Sequence, residues 1–305
     1  MLRYIRKIVN YPLNYLYADI IARIAYRLIL NRPIDNMALQ NWKNTIALDR
    51  SKLISLVNSL FISAEYKELI TNSVYGDVLL INYLHLERCK LIQRLPRGDF
   101  IIDLGGAAPN DPRGGLLAMG YPHKFDRLLI IDLPLNESFE QRQAKETYDV
   151  VATKSGEVRY IYRNFCEINE MNIEENSVDL FWMGQSVEHI EEQELDELLR
   201  WIFKYLKPGG HYCFDTPNRL ITSIQCPDQY VHPDHKIEYF FQDLVKKVKA
   251  AGFEIIETLG IGLAEEILHQ NKYLPGSIIK DISINEYPEH SYIFYFKTSK
   301  PLQTK

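Results

Sequence analysis

The chain has 305 residues, of which 46% are hydrophobic and 25% charged, a composition typical of a folded protein. Its length allows one large hydrophobic core and a second, smaller one. The formal net charge of −5 excludes a general attraction to nucleic acid. The 20 tyrosines are scattered without basic clusters, so a surface for single-stranded nucleic acid is not indicated either.

Basic residues are concentrated near the N-terminus. Residues 1–32 contain Arg3, Arg6, Lys7, Arg23, Arg27 and Arg32 against the one acid Asp19. A solvated helix face is the simpler interpretation, and peripheral contact with a membrane or a glycan-assembly partner is the alternative. Asp19, Arg23 and Arg27 interrupt the apolar segment that a signal peptide would need, and nowhere are 18 consecutive residues apolar, as a membrane span would require. We therefore expect a cytoplasmic protein, with membrane association as the alternative.

The chain divides into two parts by pattern. Residues 1–73 have helical periodicity, with Ile20, Ile24 and Leu28 on one stripe and the breaker "NRP" at 31–33. From residue 74, short apolar runs alternate with amphipathic helices, which is typical of a parallel sheet with helices on both faces. We therefore predict a small all-helical domain over 1–73 and an α/β domain over 74–305.

Seven apolar runs of the α/β domain have the length and composition of strands. They are FIIDL (100–104), LLIIDL (128–133), VRYIYR (158–163), VDLFWMG (178–184), HYCFDT (211–216), FEIIETL (253–259) and SYIFYFK (291–297). Helices are predicted over 77–95, over 191–207 and from Glu238 to the breaker Gly252. The fold class is thus a seven-stranded, doubly wound, Rossmann-like sheet.

A ligand loop is indicated where the first strand ends in Asp103 and breaks into Gly105 and Gly106. Glycine lets the backbone approach a ligand closely because it has no Cβ. The chain has no GxxxxGK[ST] string for a triphosphate, and "GGAAPN" supplies only the opening glycines of a dinucleotide motif. Asp132 ends the next strand and is placed to accept hydrogen bonds from ribose hydroxyls at the same sheet edge.

Four segments, "FIIDLGG", "LLIIDL", "NSVDLFWMGQSVEHI" and "YLKPGGHYCFDTPN", resemble the successive motifs of class I S-adenosylmethionine-dependent methyltransferases, over roughly residues 76–300. The resemblance implies S-adenosyl-L-methionine as the cofactor and methyl transfer as the activity. The cofactor residues that it implies are Asp103, Gly105, Gly106 and Ala107 for the methionine part, Asp132 and Leu133 for the ribose, Asn164 and Phe165 for the adenine, and Gln185 between cofactor and methyl acceptor. Alanines in place of the third glycine, and the longer path through "PNDPRGG", depart from the family pattern.

The N-terminal part has its own resemblance over about residues 20–72. "YRLILNRPIDNMALQNW", followed by "LFISAEYKEL", is similar to a small helical domain of unknown function that is related to phycobilisome linkers. That domain accompanies enzymes of bacterial surface-glycan synthesis. The resemblance implies a saccharide acceptor in polysaccharide biosynthesis, with this domain helping to recruit it.

The acceptor chemistry calls for alignment first and a base second. Alignment of acceptor and methyl group supplies most of the catalysis, and a general base for a hydroxyl acceptor adds about 10² to 10⁴-fold. The candidate bases are His232 and His235 in "YVHPDHKIEYF", and His189 after the fourth strand. For each of them the alternative is a packing, surface or capping role.

Two further residues after the fifth strand, Asp215 and Asn218, are expected to line the acceptor pocket, although "TPN" is also a good turn. The soft ligands of this region, His211, Cys213 and Cys226, match no zinc spacing with His232 and His235, so no metal site is predicted. The four cysteines form no CxxC pair, which indicates reduced thiols.

The leading hypothesis is a methyltransferase that modifies a hydroxyl of a saccharide or glycan intermediate. A protein or a small metabolite is the alternative acceptor. The altered glycine motif keeps open a noncatalytic glycan-binding or assembly protein on a methyltransferase scaffold. A nicotinamide-dependent dehydrogenase is disfavoured by "GGAAPN".

Overall fold

The computed structural model of the protein describes residues 17–30, 32–48, 52–61, 63, 65, 76–108, 111–133, 148–164, 166 and 173–302. The chain divides into two compact units, residues 1–80 and 81–305. Within the described ranges, no helix has the length and apolar character needed to cross a membrane.

The described residues of the first unit form helices around a small core. These helices are α1 (17–29), α2 (Asn36–Leu48) and α3 (Lys52–Phe61). Ala22, Ile46 and Leu56 are fully buried at the centre of this core. Helix α2 begins after Asp35 because the Asp35 carboxylate accepts the Ala38 backbone N–H at 2.8 Å, which caps the helix.

The basic N-terminal residues are described in part. Arg23 pairs with Asp19 at 2.9 Å, and Arg32 pairs with Glu65. Arg3, Arg6 and Lys7 lie outside the described residues. The contact with a membrane or partner that was expected from this region stays a prediction.

Strands and helices alternate along the rest of the chain. The strands are β1 (Phe100–Leu104), β2 (Arg127–Asp132), β3 (Val150–Ala152), β4 (Glu157–Tyr162), β5 (Val178–Gly184), β6 (Leu206–Pro217), β7 (Glu254–Leu263), β8 (Ile284–Asn285) and β9 (Ser291–Ser299). The helices are α4 (Gly76–Ile92), α5 (Gly115–Ala118), α6 (Glu192–Tyr205), α7 (Arg219–Gln225), α8 (Phe241–Ala250), α9 (Glu265–Gln270) and α10 (Pro275–Lys280).

Among the described residues, nine strands form one mixed sheet in the order β3-β4-β2-β1-β5-β6-β9-β7-β8. Strands β4, β2, β1, β5 and β6 run parallel, while β9 is antiparallel to both β6 and β7. Each of the seven predicted runs overlaps a strand, but the predicted count of seven was wrong. Strands β3 and β8 are three and two residues long, too short for any periodicity to reveal them.

One face of the sheet packs against the apolar stripes of two helices. The sheet contributes Ile102, Leu104, Phe181, Met183 and Phe214, and the helices α6 and α8 contribute Leu195, Leu198, Ile202, Leu244 and Val248, all buried. Each such side chain stabilises the fold by about 1.5–3 kcal/mol. Because the central strands are parallel, Asp103, Asp132 and Gly184 come to the same edge of this sheet.

Candidate functional site

The loop after β1 is shaped by two glycines. Gly105 has φ +79°, a left-handed conformation that favours glycine, and its N–H donates to the Ile131 carbonyl at 2.8 Å. A Cβ on Gly106 would lie 2.1 Å from Cγ of Asp103, which is itself 1% exposed. The buried Asp103 carboxyl group therefore occupies the space that any larger residue at 106 would need.

A second pair of glycines closes the same loop, and the sequence analysis did not assign it a role. The Gly115 N–H donates to the Gly106 carbonyl at 2.7 Å, and Gly114 has φ +84°. A Cβ on Gly114 would lie 2.1 Å from Cδ1 of Ile130. The segment "PNDPRGG", which was expected to lengthen the path to β2, thus returns to Gly106. The glycines of "RGG" at 113–115 were the feature of the sequence that could have indicated this return.

Asp132 holds the two strand ends together. It is 3% exposed and accepts hydrogen bonds from the backbone N–H groups of Ala107 and Leu133, both at 2.8 Å. Ala107, which stands in place of the expected third glycine, makes its contact through the backbone, and the alanine side chain does not prevent it.

The expected adenine contacts are described in part. Asn164 follows β4 at the same sheet edge, where its side-chain oxygen accepts the Cys166 backbone N–H at 3.0 Å. Phe165 lies outside the described residues. The roles of both residues stay predictions.

Gln185 has a strained backbone at the end of β5, with φ +54° in a residue other than glycine. Its backbone N–H lies 2.9 Å from the Asp215 carbonyl oxygen and 3.0 Å from the Asp215 carboxylate. Arg88 holds that carboxylate with bonds of 2.5 and 3.0 Å. Asp215 is fully buried, and Arg88 fixes the position of its carboxylate. The hydrogen bonds from Gln185 to Asp215 therefore hold the strained backbone conformation of Gln185 in place.

Asp215 and Asn218 have roles that differ from the acceptor contact expected of them. Asp215 is 0% exposed and is bonded to Arg88 and Gln185. Asn218 is also 0% exposed; it caps α7 by accepting the Leu220 N–H at 3.1 Å and donates to the Glu289 carbonyl at 2.8 Å. Both residues therefore shape the edge of the sheet from within the protein.

A cavity of 620 Å³ opens beside the end of β5. Its lining includes Arg88, Gln185, Glu188, His189, His232 and His235. The three histidines predicted as candidate bases thus meet in one cavity, with ring centroids 5.0 Å apart for His189 and His235 and 5.5 Å apart for His232 and His235. The volume is within the range of roughly 300–1,000 Å³ that is usual for small-molecule sites.

Glu188 is a buried residue of the cavity lining. It is 1% exposed, and its Oε2 accepts the Thr216 hydroxyl at 2.9 Å. Burial raises the pKa of Glu188 to about 7. Its carboxyl group is a functional candidate that the sequence analysis noted only as part of "VEHI".

The three histidines differ in their hydrogen bonds. His189 Nδ1 lies 3.1 Å from the Asp234 carbonyl oxygen, and His235 Nδ1 lies 2.7 Å from Oε1 of Glu238. His232 Nδ1 instead accepts the Asp234 N–H at 3.2 Å, and it lies 3.6 Å from the Asp234 carboxylate.

Potential metal ligands come together here in a set that the sequence analysis passed over. Ligand atoms of Glu188, His189 and His235 lie within 4.8 Å of one another. By contrast, His211 Nδ1 is bonded to the Thr298 carbonyl at 3.1 Å, and Cys213 is fully buried, where burial raises the pKa of its thiol to about 12. Spacing alone could not find the first set, because its histidines belong to segments far apart in the sequence.

Comparison with known proteins identifies the domain that contains this site. Residues 130–214 match the protein-family model described as a methyltransferase domain. This segment of the chain is thus similar to a methyltransferase domain. The matched residues of this methyltransferase domain run from within β2 into β6, so they include Asp132, Gln185 and the Glu188–His189 pair but not the glycine loop.

Individual relatives agree with this family. The chain is 35% identical over 100 residues to a protein of Mycolicibacterium smegmatis that is named as a probable S-adenosylmethionine-dependent methyltransferase. That alignment spans 32% of this chain and 38% of the relative, so it covers well under two thirds of the relative's length.

Solved structures share the fold. A chain from the complex between the Haloferax volcanii Trm112 methyltransferase activator and its methyltransferase is 15% identical, with a TM-score of 0.50 over 76% of this chain and 95% of that one. A SAM-dependent methyltransferase from Thermotoga maritima is 14% identical, with a TM-score of 0.49 over 76% of this chain and 98% of that one. The first of these two structures confirms the expected class I methyltransferase fold, with nine strands in place of seven among the described residues.

The similarity to S-adenosylmethionine-dependent methyltransferases supports S-adenosyl-L-methionine as the cofactor, as expected from the sequence, and the residues at the carboxyl ends of the strands fit it. The ribose hydroxyls need an acceptor, and Asp132 offers a carboxylate there. The amino-acid end needs exposed backbone groups, and the loop of Gly105 and Gly106 has no side chain to cover them. Gln185 follows β5 at this end of the sheet and also lines the cavity.

Proposed function

We propose that the protein is an S-adenosylmethionine-dependent O-methyltransferase whose acceptor is a small polyhydroxylated molecule, with a saccharide or glycan intermediate as the preferred class. The observation that carries the proposal is the cavity with three histidines and a buried glutamate beside the cofactor edge of the methyltransferase domain. A hydroxyl is a poor nucleophile until it loses its proton, and imidazoles are the side chains that best accept a proton near neutral pH.

The cofactor contributes an electrophilic methyl group on a sulfonium. The protein's residues supply the rest. Asp132 and the loop of Gly105 and Gly106 would fix the cofactor, and Gln185 would set the boundary between it and the acceptor. As the new oxygen–carbon bond formed, the sulfur–methyl bond would break and S-adenosylhomocysteine would leave, while a cavity histidine would take up the proton of the acceptor hydroxyl. Most of the rate gain would come from this alignment, with about 10² to 10⁴-fold from the base.

A saccharide is supported by the mixture of groups around the cavity. Arg88, Gln185 and His232 offer hydrogen-bond partners for several hydroxyls, and Tyr292 and Ile293 offer an apolar surface for a sugar ring. The volume of 620 Å³ suits a small molecule better than the surface of a folded protein. The resemblance of the N-terminal part to a domain that accompanies glycan-synthesis enzymes supports the same class.

Two experiments test the proposal in order. Calorimetric titration with S-adenosylhomocysteine should give saturable binding that Asp132→Asn abolishes and that Asp126→Asn, at an exposed acid just before β2, preserves. A screen with methyl-labelled S-adenosylmethionine over saccharides, small metabolites and protein extracts then identifies the acceptor. Label in a saccharide supports the proposal, whereas cofactor binding with no label transferred to any of these acceptors would favour a noncatalytic scaffold.

A further inference from the structure

Glu188, His189 and His235 form a compact group of one carboxylate and two imidazoles. Their ligand atoms all lie within 4.8 Å of one another. Two separate segments bring them together, since Glu188 and His189 follow β5 and His235 precedes α8. The Glu188 carbonyl ties these segments by accepting the Lys236 and Ile237 N–H groups at 2.8 and 3.2 Å.

Each imidazole of this group is oriented through its Nδ1. A carbonyl oxygen only accepts hydrogen bonds, so His189 must donate from Nδ1 to Asp234 at 3.1 Å and carry its lone pair on Nε2. His235 Nδ1 lies 2.7 Å from Glu238, which also accepts the Val231 N–H and the Thr222 hydroxyl and is therefore an acceptor. Histidines that bind metals are held in this way, through the nitrogen that does not bind.

The carboxylate is oriented as well. Glu188 accepts the Thr216 hydroxyl at 2.9 Å through Oε2, and both residues are buried. Thr216 belongs to β6, a central strand of the sheet, so the position of this carboxylate is set by the rigid part of the domain. All three members thus have a partner that fixes their direction.

We propose that Glu188, His189 and His235 bind a divalent transition-metal cation. Two imidazoles and one carboxylate form a donor set suited to cations such as Mn²⁺, Fe²⁺, Co²⁺ and Zn²⁺. Ligand atoms about 2.1 Å from such a cation lie roughly 3–3.5 Å apart, a separation that falls within the 4.8 Å limit that holds for these three side chains. Three protein ligands leave coordination positions open toward the cavity.

These open positions give the cation a use in the proposed function, on which this part of the inference rests. An acceptor hydroxyl oxygen that coordinates the cation would be held in place, and an adjacent pair of sugar hydroxyls would bind through both oxygens. His189 and His235 would then be ligands, which leaves His232 as the cavity histidine for proton uptake.

The full-length protein, stripped with a chelator and dialysed, tests the cation site directly. Titration with Co²⁺, followed by its visible absorption, and with Mn²⁺ or Zn²⁺ by calorimetry should show one equivalent bound. We expect His189→Gln and His235→Gln each to weaken the affinity at least about tenfold. His269→Gln, the same change at an exposed histidine of α9, should leave it unchanged. Binding of S-adenosylhomocysteine by each variant shows that it is folded.

Equal affinity in wild type and both cavity variants, or no cation binding by protein that binds S-adenosylhomocysteine, would overturn the inference. Full transfer activity after the cation is removed would overturn only the use of the cation in methyl transfer, and both the cation site and the proposed function would stand. Cation binding that depends on His189 and His235, without transfer to any acceptor, would support the site while the proposed function failed.

Discussion

Replacement of Arg88 by Met should destabilise the protein strongly, because it leaves a buried carboxylate without its counter-charge. Asp215 is 0% exposed, and both of its carboxylate oxygens are bonded to Arg88, at 2.5 and 3.0 Å. Removing one partner of a buried ion pair costs about 3–5 kcal/mol. At about 2–4 °C for each kcal/mol in a domain of this size, the melting temperature should fall by roughly 6–20 °C.

The matched control is Arg94→Met. Arg94 makes a comparable ion pair with Glu257 at 3.2 Å, but the side chains are 49% and 36% exposed, so its loss should cost no more than about 1 kcal/mol. Denaturant unfolding of both variants and of Arg88→Met with Asp215→Asn measures the difference. The second substitution should recover part of the loss, since it removes the unpaired charge.

Equal losses for Arg88→Met and Arg94→Met would refute this reasoning. Failure of Asp215→Asn to recover any stability in the Arg88→Met background would do the same, because the cost would then lie in packing and not in charge.

Three further changes test other parts of the site. Gly106→Ala should weaken S-adenosylhomocysteine binding at least about tenfold, because its Cβ would lie 2.1 Å from Cγ of Asp103. The control Gly115→Ala, whose Cβ would have its nearest contact at 3.4 Å, should have little effect. Calorimetry that finds equal losses of affinity in the two variants would count against the proposed loop geometry. Gln185→Gly should raise the free energy of unfolding by about 1 kcal/mol, because glycine adopts the left-handed backbone conformation without strain, while the affinity for the cofactor falls. A loss of stability in chemical denaturation would contradict the claim that the backbone of Gln185 is strained. Cys213 should resist alkylation in the native protein, because it is fully buried and burial raises the pKa of its thiol to about 12, while the partly exposed Cys226 should react. Mass spectrometry of labelled peptides measures the two rates, and rapid labelling of Cys213 would disprove its burial.

The sequence by itself determined the features that depend on short stretches of chain. Apolar runs of strand length located β1, β2, β4, β5, β6, β7 and β9. An acid followed by glycines marked the loop after Asp103 as a candidate for cofactor binding, which stays a prediction. The sequence also placed Asp132 beside that loop, because the carboxyl ends of neighbouring parallel strands must meet at one edge, and its role toward a ribose stays a prediction. Local periodicity and turn chemistry are sufficient for inferences of this kind.

Only the tertiary structure decided which distant side chains meet. Arg88 and Asp215 are 127 positions apart in the sequence. Asp215 was expected to contact the methyl acceptor, whereas its pairing with Arg88 places it under Gln185, whose backbone it holds. Gly115 returns to Gly106, and His235 joins Glu188 and His189, through loops whose paths have no periodic pattern. The short strands β3 and β8 likewise exist because a neighbouring strand pairs with them. Contacts of this kind depend on the packing of the whole domain, which no single stretch of the chain encodes.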